Sequence, residues 1–171
     1  MLETIRPFFY ARADLAILVL SAIVISEIGW AGRALDLNHA DLSSQSLAGE
    51  DLQGADLTGA NLVGANLTSA NLTGADLTFA NVTGADLTSA DLSGTNLAGA
   101  NFTSANLTGA NFTFAKATGI NLTSANLTGA QLKGVDLTFA NLTGARLDEA
   151  CGDANTKVPD GLALLRPCRV P

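Results

Sequence analysis

Few side chains in this 171-residue sequence commonly take part in catalysis or metal binding. There is one histidine, His39, and there are two cysteines, Cys151 and Cys168. One imidazole and two thiols cannot complete a four-ligand zinc site without distant carboxylates. The sequence also has no phosphate-binding loop and no nucleophile elbow. We therefore predict a chain that is not an enzyme and needs no cofactor or metal, and we interpret His39 as a solvated residue without a role.

The remaining reactive groups are carboxylates, and they are concentrated in one region. The formal net charge is −7. Residues 35–149 hold eleven acidic and three basic residues, whereas residues 1–34 sum to zero and residues 150–171 to +1. Direct binding of nucleic acid needs a basic surface, so this distribution disfavours it. A protein with a basic surface is a more suitable partner.

The acidic region repeats a five-residue unit almost without interruption. The unit reads Ala, Asp or Asn, Leu, Thr, Gly, as in Ala55-Asp56-Leu57-Thr58-Gly59. Its central leucine recurs at every fifth position up to Leu147, and the exceptions are Val82, Phe102, Phe112 and Ala117. An α-helix places apolar residues at a spacing of about 3.6 and a strand at a spacing of about 2. A period of five therefore predicts a turn-rich solenoid.

This register resembles the pentapeptide-repeat family over about two thirds of the chain. The resemblance implies an all-β fold, a right-handed four-sided β-helix with one unit per side and four units per coil. The central residue and the preceding alanine would point inward. Residue volumes agree with four units per coil, because the two large centres Phe102 and Phe112 would then share a coil with the small centre Ala117. The units would form five to six coils, with glycine at corners that need positive φ.

Outward residues would form columns, because equivalent positions recur every 20 residues. One column is almost purely asparagine, and we expect its amides to bond to one another along the solenoid. Another begins with Asp36, Asp56 and Asp76, whose carboxylates repel one another at a spacing of ~4.8 Å unless they are hydrogen-bonded or neutralised. We predict a partner surface here, together with the outward-pointing Phe79 and Phe139. The alternatives are that the acidic residues serve solubility and that the phenylalanines cover the backbone locally.

Residues 1–34 have a different composition and no five-residue register, and we predict a hydrophobic helix. The run from Ala13 to Gly32 is about 20 residues, near the length that spans a bilayer. Arg6 and Arg12 precede it, which would keep the N-terminus cytoplasmic and place the repeats across the membrane. The residues predicted to lie in the membrane are Leu15, Ile17, Leu18, Val19, Leu20, Ile23, Val24, Ile25, Ile28 and Trp30.

Two other interpretations of residues 1–34 stay open. A cleaved signal peptide would leave the repeats secreted or periplasmic. A soluble helix could instead cover the first coil. The membrane anchor predicts a location in the inner membrane with the repeat region, residues 35–149, in the periplasm.

The register ends after Glu149, and we predict that residues 150–171 form a C-terminal cap. Without a cap, the last coil would expose unpaired backbone groups that invite end-to-end association. Leu162, Leu164 and Leu165 could cover the open core. The only two cysteines, Cys151 and Cys168, lie here, and we predict a disulfide between them, which would persist in an oxidising compartment. Free buried thiols are the alternative.

These observations favour a non-enzymatic scaffold or accessory subunit, tethered to a membrane and presenting a rigid acidic rod to a partner protein or membrane complex. The alternative is a DNA mimic that binds a DNA topoisomerase, since the acidic rod resembles the quinolone-resistance pentapeptide proteins. Ice binding is a third interpretation, because threonines such as Thr58, Thr78, Thr118 and Thr138 form columns.

Overall fold

The computed structural model describes residues 34–159 and 166–168. These belong to the second of two units into which the chain divides, Gly32–Pro171. The predicted hydrophobic helix lies outside the described residues except for Ala34, as do the predicted cap residues Leu162, Leu164 and Leu165. Among the described residues, no helix is long and apolar enough to cross a membrane.

The described region is a ladder of parallel backbone bridges that join each coil to the next. The partners are 20 residues apart from Asp36 and Asp56 up to Gln131 and Cys151. Four pentapeptides therefore complete one coil, as predicted. In each unit up to the one centred on Leu137, the amide of the central residue donates to a carbonyl of the next coil, as from Leu57 to Asp76 at 2.7 Å. A tight turn follows, in which the amide of the next alanine donates back to the centre.

The interior of the solenoid is filled by the central residues and the alanines that precede them. Leu57, Leu62 and Leu67 are fully buried, as are the alanines between them. The predicted volume compensation is present, since Phe102 and Ala117 are both 0 % exposed in one coil. Thr95 replaces an alanine in the core, and its hydroxyl donates to the carbonyl of Leu92 at 2.6 Å. Because the interior of the solenoid is filled, only its outward-pointing side chains can contact a partner.

Every corner has a residue in the left-handed region. Glycines there have φ between 63° and 71°, and the non-glycine corner residues include Phe79 at 58°, Phe114 at 60° and Phe139 at 62°. A bulky residue in this conformation costs roughly 1–2 kcal/mol relative to glycine. The three phenylalanines therefore occupy their corners against a backbone preference.

The last coil departs from the register by one residue, because Asp136 pairs with Lys157 rather than with residue 156. Asp153 and Thr156 accommodate the extra residue: the carboxylate of Asp153 accepts the Gly134 amide at 2.9 Å and the hydroxyl of Thr156 donates to Leu132 at 2.7 Å. Two short parallel strands pair at this end of the solenoid, β1 at Cys151–Gly152 and β2 at Arg166–Pro167. The C-terminal segment thus adds to the ladder.

Candidate contact surface

We define the contact face as the outward column predicted to meet a partner. Its residues are joined in order by backbone bridges, and they are Asp36, Asp56, Asp76, Asn96, Lys116 and Asp136, followed by Lys157. The solenoid positions them rigidly, since each is one coil, ~4.8 Å, from the next. The face is acidic at its N-terminal half and mixed in charge at its C-terminal half.

The aspartates of the contact face are tied to their own turns. One carboxylate oxygen of each accepts the backbone amide two residues later, at 3.0 Å from Thr58 to Asp56 and 2.9 Å from Thr78 to Asp76. Hydrogen bonds from the side chain and backbone of Thr58 lower the pKa of Asp56. Partial burial opposes this for Asp76, but the bonds from Thr78 and Asn96 outweigh it and lower the pKa there too. These turn bonds keep both carboxylates ionised despite their proximity.

The C-terminal half of the face contains the only lysines of this column. The Nζ atom of Lys157 lies 2.8 Å from Oδ2 of Asp136. This hydrogen bond, with those from Thr138, lowers the pKa of Asp136 to about 2. Lys116 lies one coil before Asp136. It is exposed and makes no ion pair within residues 34–159 and 166–168.

Three exposed phenylalanines border the contact face. Phe79 and Phe139 lie on one edge, three coils apart, and Phe114 lies on the opposite edge; their exposed fractions are 72 %, 83 % and 66 %. The predicted partner surface included Phe79 and Phe139 but not Phe114, which the 20-residue period places on the neighbouring corner. Exposed aromatic side chains are common anchors of protein interfaces. The candidate surface is therefore a charged strip between aromatic edges.

The rings of Phe79 and Phe114 lie over glycines of the next coil. A Cβ atom on Gly99 would meet the Phe79 ring at 2.6 Å, and one on Gly134 would meet the Phe114 ring at 2.5 Å. His39, exposed in the first coil, covers Gly59 in the same way. Local cover of the backbone is the alternative that sequence analysis gave for the phenylalanines, and its signal is a large corner residue followed 20 positions later by glycine.

The asparagine column differs from the prediction. We expected its amides to bond to one another. Instead, the amide of Asn121 donates to the hydroxyl of Thr103 at 3.0 Å, and that hydroxyl donates to Asn101 at 2.7 Å. The threonine lies between successive amides because it projects from the same face, two residues after each asparagine. Its hydroxyl is thus occupied within the solenoid, which weakens this column as a partner surface. In the column considered for ice binding, the hydroxyls of Thr78 and Thr138 likewise donate to Asp76 and Asp136, which weakens that interpretation.

The predicted disulfide is present between Cys151 and Cys168, whose Cα atoms are 4.7 Å apart. It joins the first residue of β1 to the residue after β2, and the Cys168 amide also donates to Gly152 at 3.0 Å. Among the described residues no group of histidine, cysteine, aspartate or glutamate side chains could hold a metal ion.

Comparison with known proteins identifies the repeat. The family profile described as "Pentapeptide repeats (8 copies)" matches residues 36–74, 51–88, 85–123 and 118–151. These matches cover most of the chain, so it belongs to the pentapeptide-repeat family, as predicted. Membership implies a right-handed β-helix. No curated protein matches the chain.

Three solved structures illustrate what this chain is similar to. The pentapeptide repeat protein Rfr23 from the cyanobacterium Cyanothece 51142 is 28 % identical, with 73 % of this chain and 88 % of that chain covered and a TM-score of 0.38. The protein alr5209 from Nostoc Pcc 7120 is 29 % identical, with 82 % and 87 % covered and a TM-score of 0.36. QnrB1, a plasmid-mediated fluoroquinolone resistance protein, is 17 % identical, with 70 % and 79 % covered and a TM-score of 0.30. The family assignment rests on the repeat match alone.

Proposed function

We propose that this chain is a non-enzymatic scaffold or accessory subunit. In this proposal residues 1–34 tether it to a membrane, and the β-helix presents the contact face to a partner protein or to a subunit of a membrane complex. The face meets its partner through Asp36, Asp56 and Asp76 and through the bordering Phe79 and Phe139.

The coincidence of ionised carboxylates and exposed rings on one rigid face supports this proposal most directly. Asp56 and Asp76 are held by their turns, and Phe79 keeps 72 % of its side chain exposed at a corner where its backbone conformation is unfavourable. A rigid surface loses little conformational entropy on binding. Charges fixed at this spacing favour a partner of opposite sign and increase its rate of association.

The membrane tether is supported by the apolar run from Ala13 to Gly32 and by the basic residues before it. Its orientation would place the repeats in the periplasm of a cell with an inner membrane. The Cys151–Cys168 disulfide agrees with that location, since such bonds persist in oxidising compartments and are rare in the cytosol.

Fractionation of cells that produce the full chain tests the tether. We expect full-length protein in washed membranes, with an intact mass under non-reducing conditions that is about two hydrogens below the reduced value. A shortened soluble species would replace the tether with a cleaved signal peptide. A full-length, reduced and soluble species would contradict both the tether and the export.

The topoisomerase alternative has its own assay. A DNA mimic would inhibit supercoiling by gyrase at low salt, and replacing Asp56 and Asp76 with asparagine would reduce the inhibition. Asn96 and Lys116 interrupt the carboxylate column, so we expect no inhibition by the chain.

A further inference from the structure

We propose that the contact face pairs with the contact face of a second copy of this chain, with the two solenoids antiparallel. This inference rests on the proposed function, because it names the partner of the same face. The argument comes from the order of charges along the column and from the shape of the face where the two copies would meet.

The charges are self-complementary about Asn96. Asp76 and Lys116 lie one coil to either side of Asn96, and Asp36 and Lys157 lie three coils to either side. A two-fold axis at Asn96 therefore places Asp76 opposite Lys116 of the second copy, and Asp36 opposite Lys157 of the second copy, each in both directions. Asp56 faces Asp136 of the second copy, whose charge is already offset by Lys157 at 2.8 Å.

Other arrangements of the same two faces lose this match. Moving one copy along the other by a single coil leaves one kind of opposite-charge contact instead of two. Asp56 then faces Lys157 or Lys116 of the second copy, according to the direction of the shift, and Asp76 faces Asp136 or Asn96. A parallel arrangement in register places every charge opposite itself. Like charges brought together cost free energy and exclude wrong arrangements. The column thus selects one direction and one register.

The outward side chains of the contact face are smallest near the proposed two-fold axis. Asn96 and Ala98 lie there, and Ala98 stands where the neighbouring coils have Thr78 and Thr118. The middle of each face is open to close approach at Ala98, whereas the Phe79 ring covers the corner at Gly99. On the edge of the face, the Phe114 ring over Gly134 would meet the Gly54 corner of the second copy, where an added Cβ has no atom within 4 Å.

The interface would be small and dependent on charge. The contact face is one pentapeptide wide and about six coils long, or roughly 29 Å at the spacing of parallel strands. Stable complexes usually bury about 800 Å² on each partner, so we expect reversible and weak association. Exposed ion pairs are screened at high ionic strength, so association should weaken as salt is added.

Sedimentation velocity of the purified full chain, in mild detergent over a concentration series, tests the inference. We expect a monomer–dimer equilibrium at low salt, with at least tenfold weaker dimerisation for D76K and for K116D. The double variant D76K/K116D should dimerise like the unaltered chain, and an equimolar mixture of the two single variants should form a mixed dimer. D91K and K133D make the same charge changes on the neighbouring face and should leave dimerisation unchanged.

A chain that stays monomeric at every concentration overturns the inference, and so does a double variant that is no better than the single ones. Circular dichroism of each variant identifies loss of folding. The proposed function is judged separately, by membrane fractionation and by capture of a different protein at the contact face, so failure to dimerise would leave it standing.

Discussion

The ring of Phe114 lies directly over Gly134 in the next coil, so close that a Cβ atom on Gly134 would be 2.5 Å from the ring. The two residues are 20 positions apart and occupy the same corner. The pairing lets a large aromatic residue lie at the surface of a narrow solenoid without disturbing the adjacent coil.

This pairing predicts that Gly134→Ala is more destabilising than Gly119→Ala. Both glycines have positive φ, +64° and +68°, but an added Cβ on Gly119 meets nothing within 4 Å. Placing alanine at positive φ costs each variant roughly 1–2 kcal/mol. Only Gly134→Ala adds a clash with the Phe114 ring. Urea unfolding of the two variants measures the difference. Phe114→Ser should remove the excess cost of Gly134→Ala, and equal stability of the two glycine variants would contradict the pairing.

The core predicts a volume effect at Ala117. Ala117→Leu should lower the free energy of unfolding by ~1–3 kcal/mol, because the coil that holds Phe102 and Phe112 has no room for another large centre. Phe112→Leu in the same coil makes space, so the double variant should recover part of the loss. Thermal unfolding checks both, and a neutral Ala117→Leu would show that these residues do not share one filled layer.

The asparagine–threonine network predicts a loss on Thr103→Val. The Thr103 hydroxyl connects Asn101 with Asn121, and its removal should cost about 0.5–1.5 kcal/mol, because the two amides are only partly buried and water can replace part of the lost bonding. Thr118→Val is the matched control, since Lys116 stands where other coils have an asparagine or aspartate acceptor. Similar unfolding midpoints for the two variants would count against a contribution from the network.

Much of this fold follows from the period of the sequence. A centre every five residues predicts a solenoid, the resemblance to the pentapeptide-repeat family implies four units per coil, and the volumes of Phe102 and Ala117 agree with that number. The partners of the disulfide also follow, because the chain has no cysteine besides Cys151 and Cys168, although the sequence left free thiols as the alternative. The hydrogen bonds of the asparagine column could not be predicted from the sequence. Whether an asparagine amide bonds to the next amide or to a threonine such as Thr103 depends on how far each side chain reaches. Phe114 was not included in the predicted partner surface, although the 20-residue period already places it on the corner next to that of Phe79 and Phe139.

The Asp136–Lys157 pair predicts a pH dependence at the last coil. The pKa of Asp136 is lowered from 3.8 to about 2 in the folded protein. A lowered pKa stabilises the fold above the unfolded value, and that stability is lost as the pH falls from about 4 towards 2. Lys157→Met should reduce this acid sensitivity, as followed by thermal unfolding at several pH values. An unchanged pH profile would show that the pair contributes nothing to stability.

The most direct test of the account is site-specific photo-crosslinking in cells from the contact face and from the face opposite it. A photoreactive residue in place of Ala98 probes the contact face, and one in place of Ala48, at the same position of its unit, probes the opposite face. We predict defined adducts from position 98, to a partner protein or to a second copy of the chain, and few from position 48. Equal adducts from both positions, or adducts from position 48 alone, would contradict a dedicated contact face.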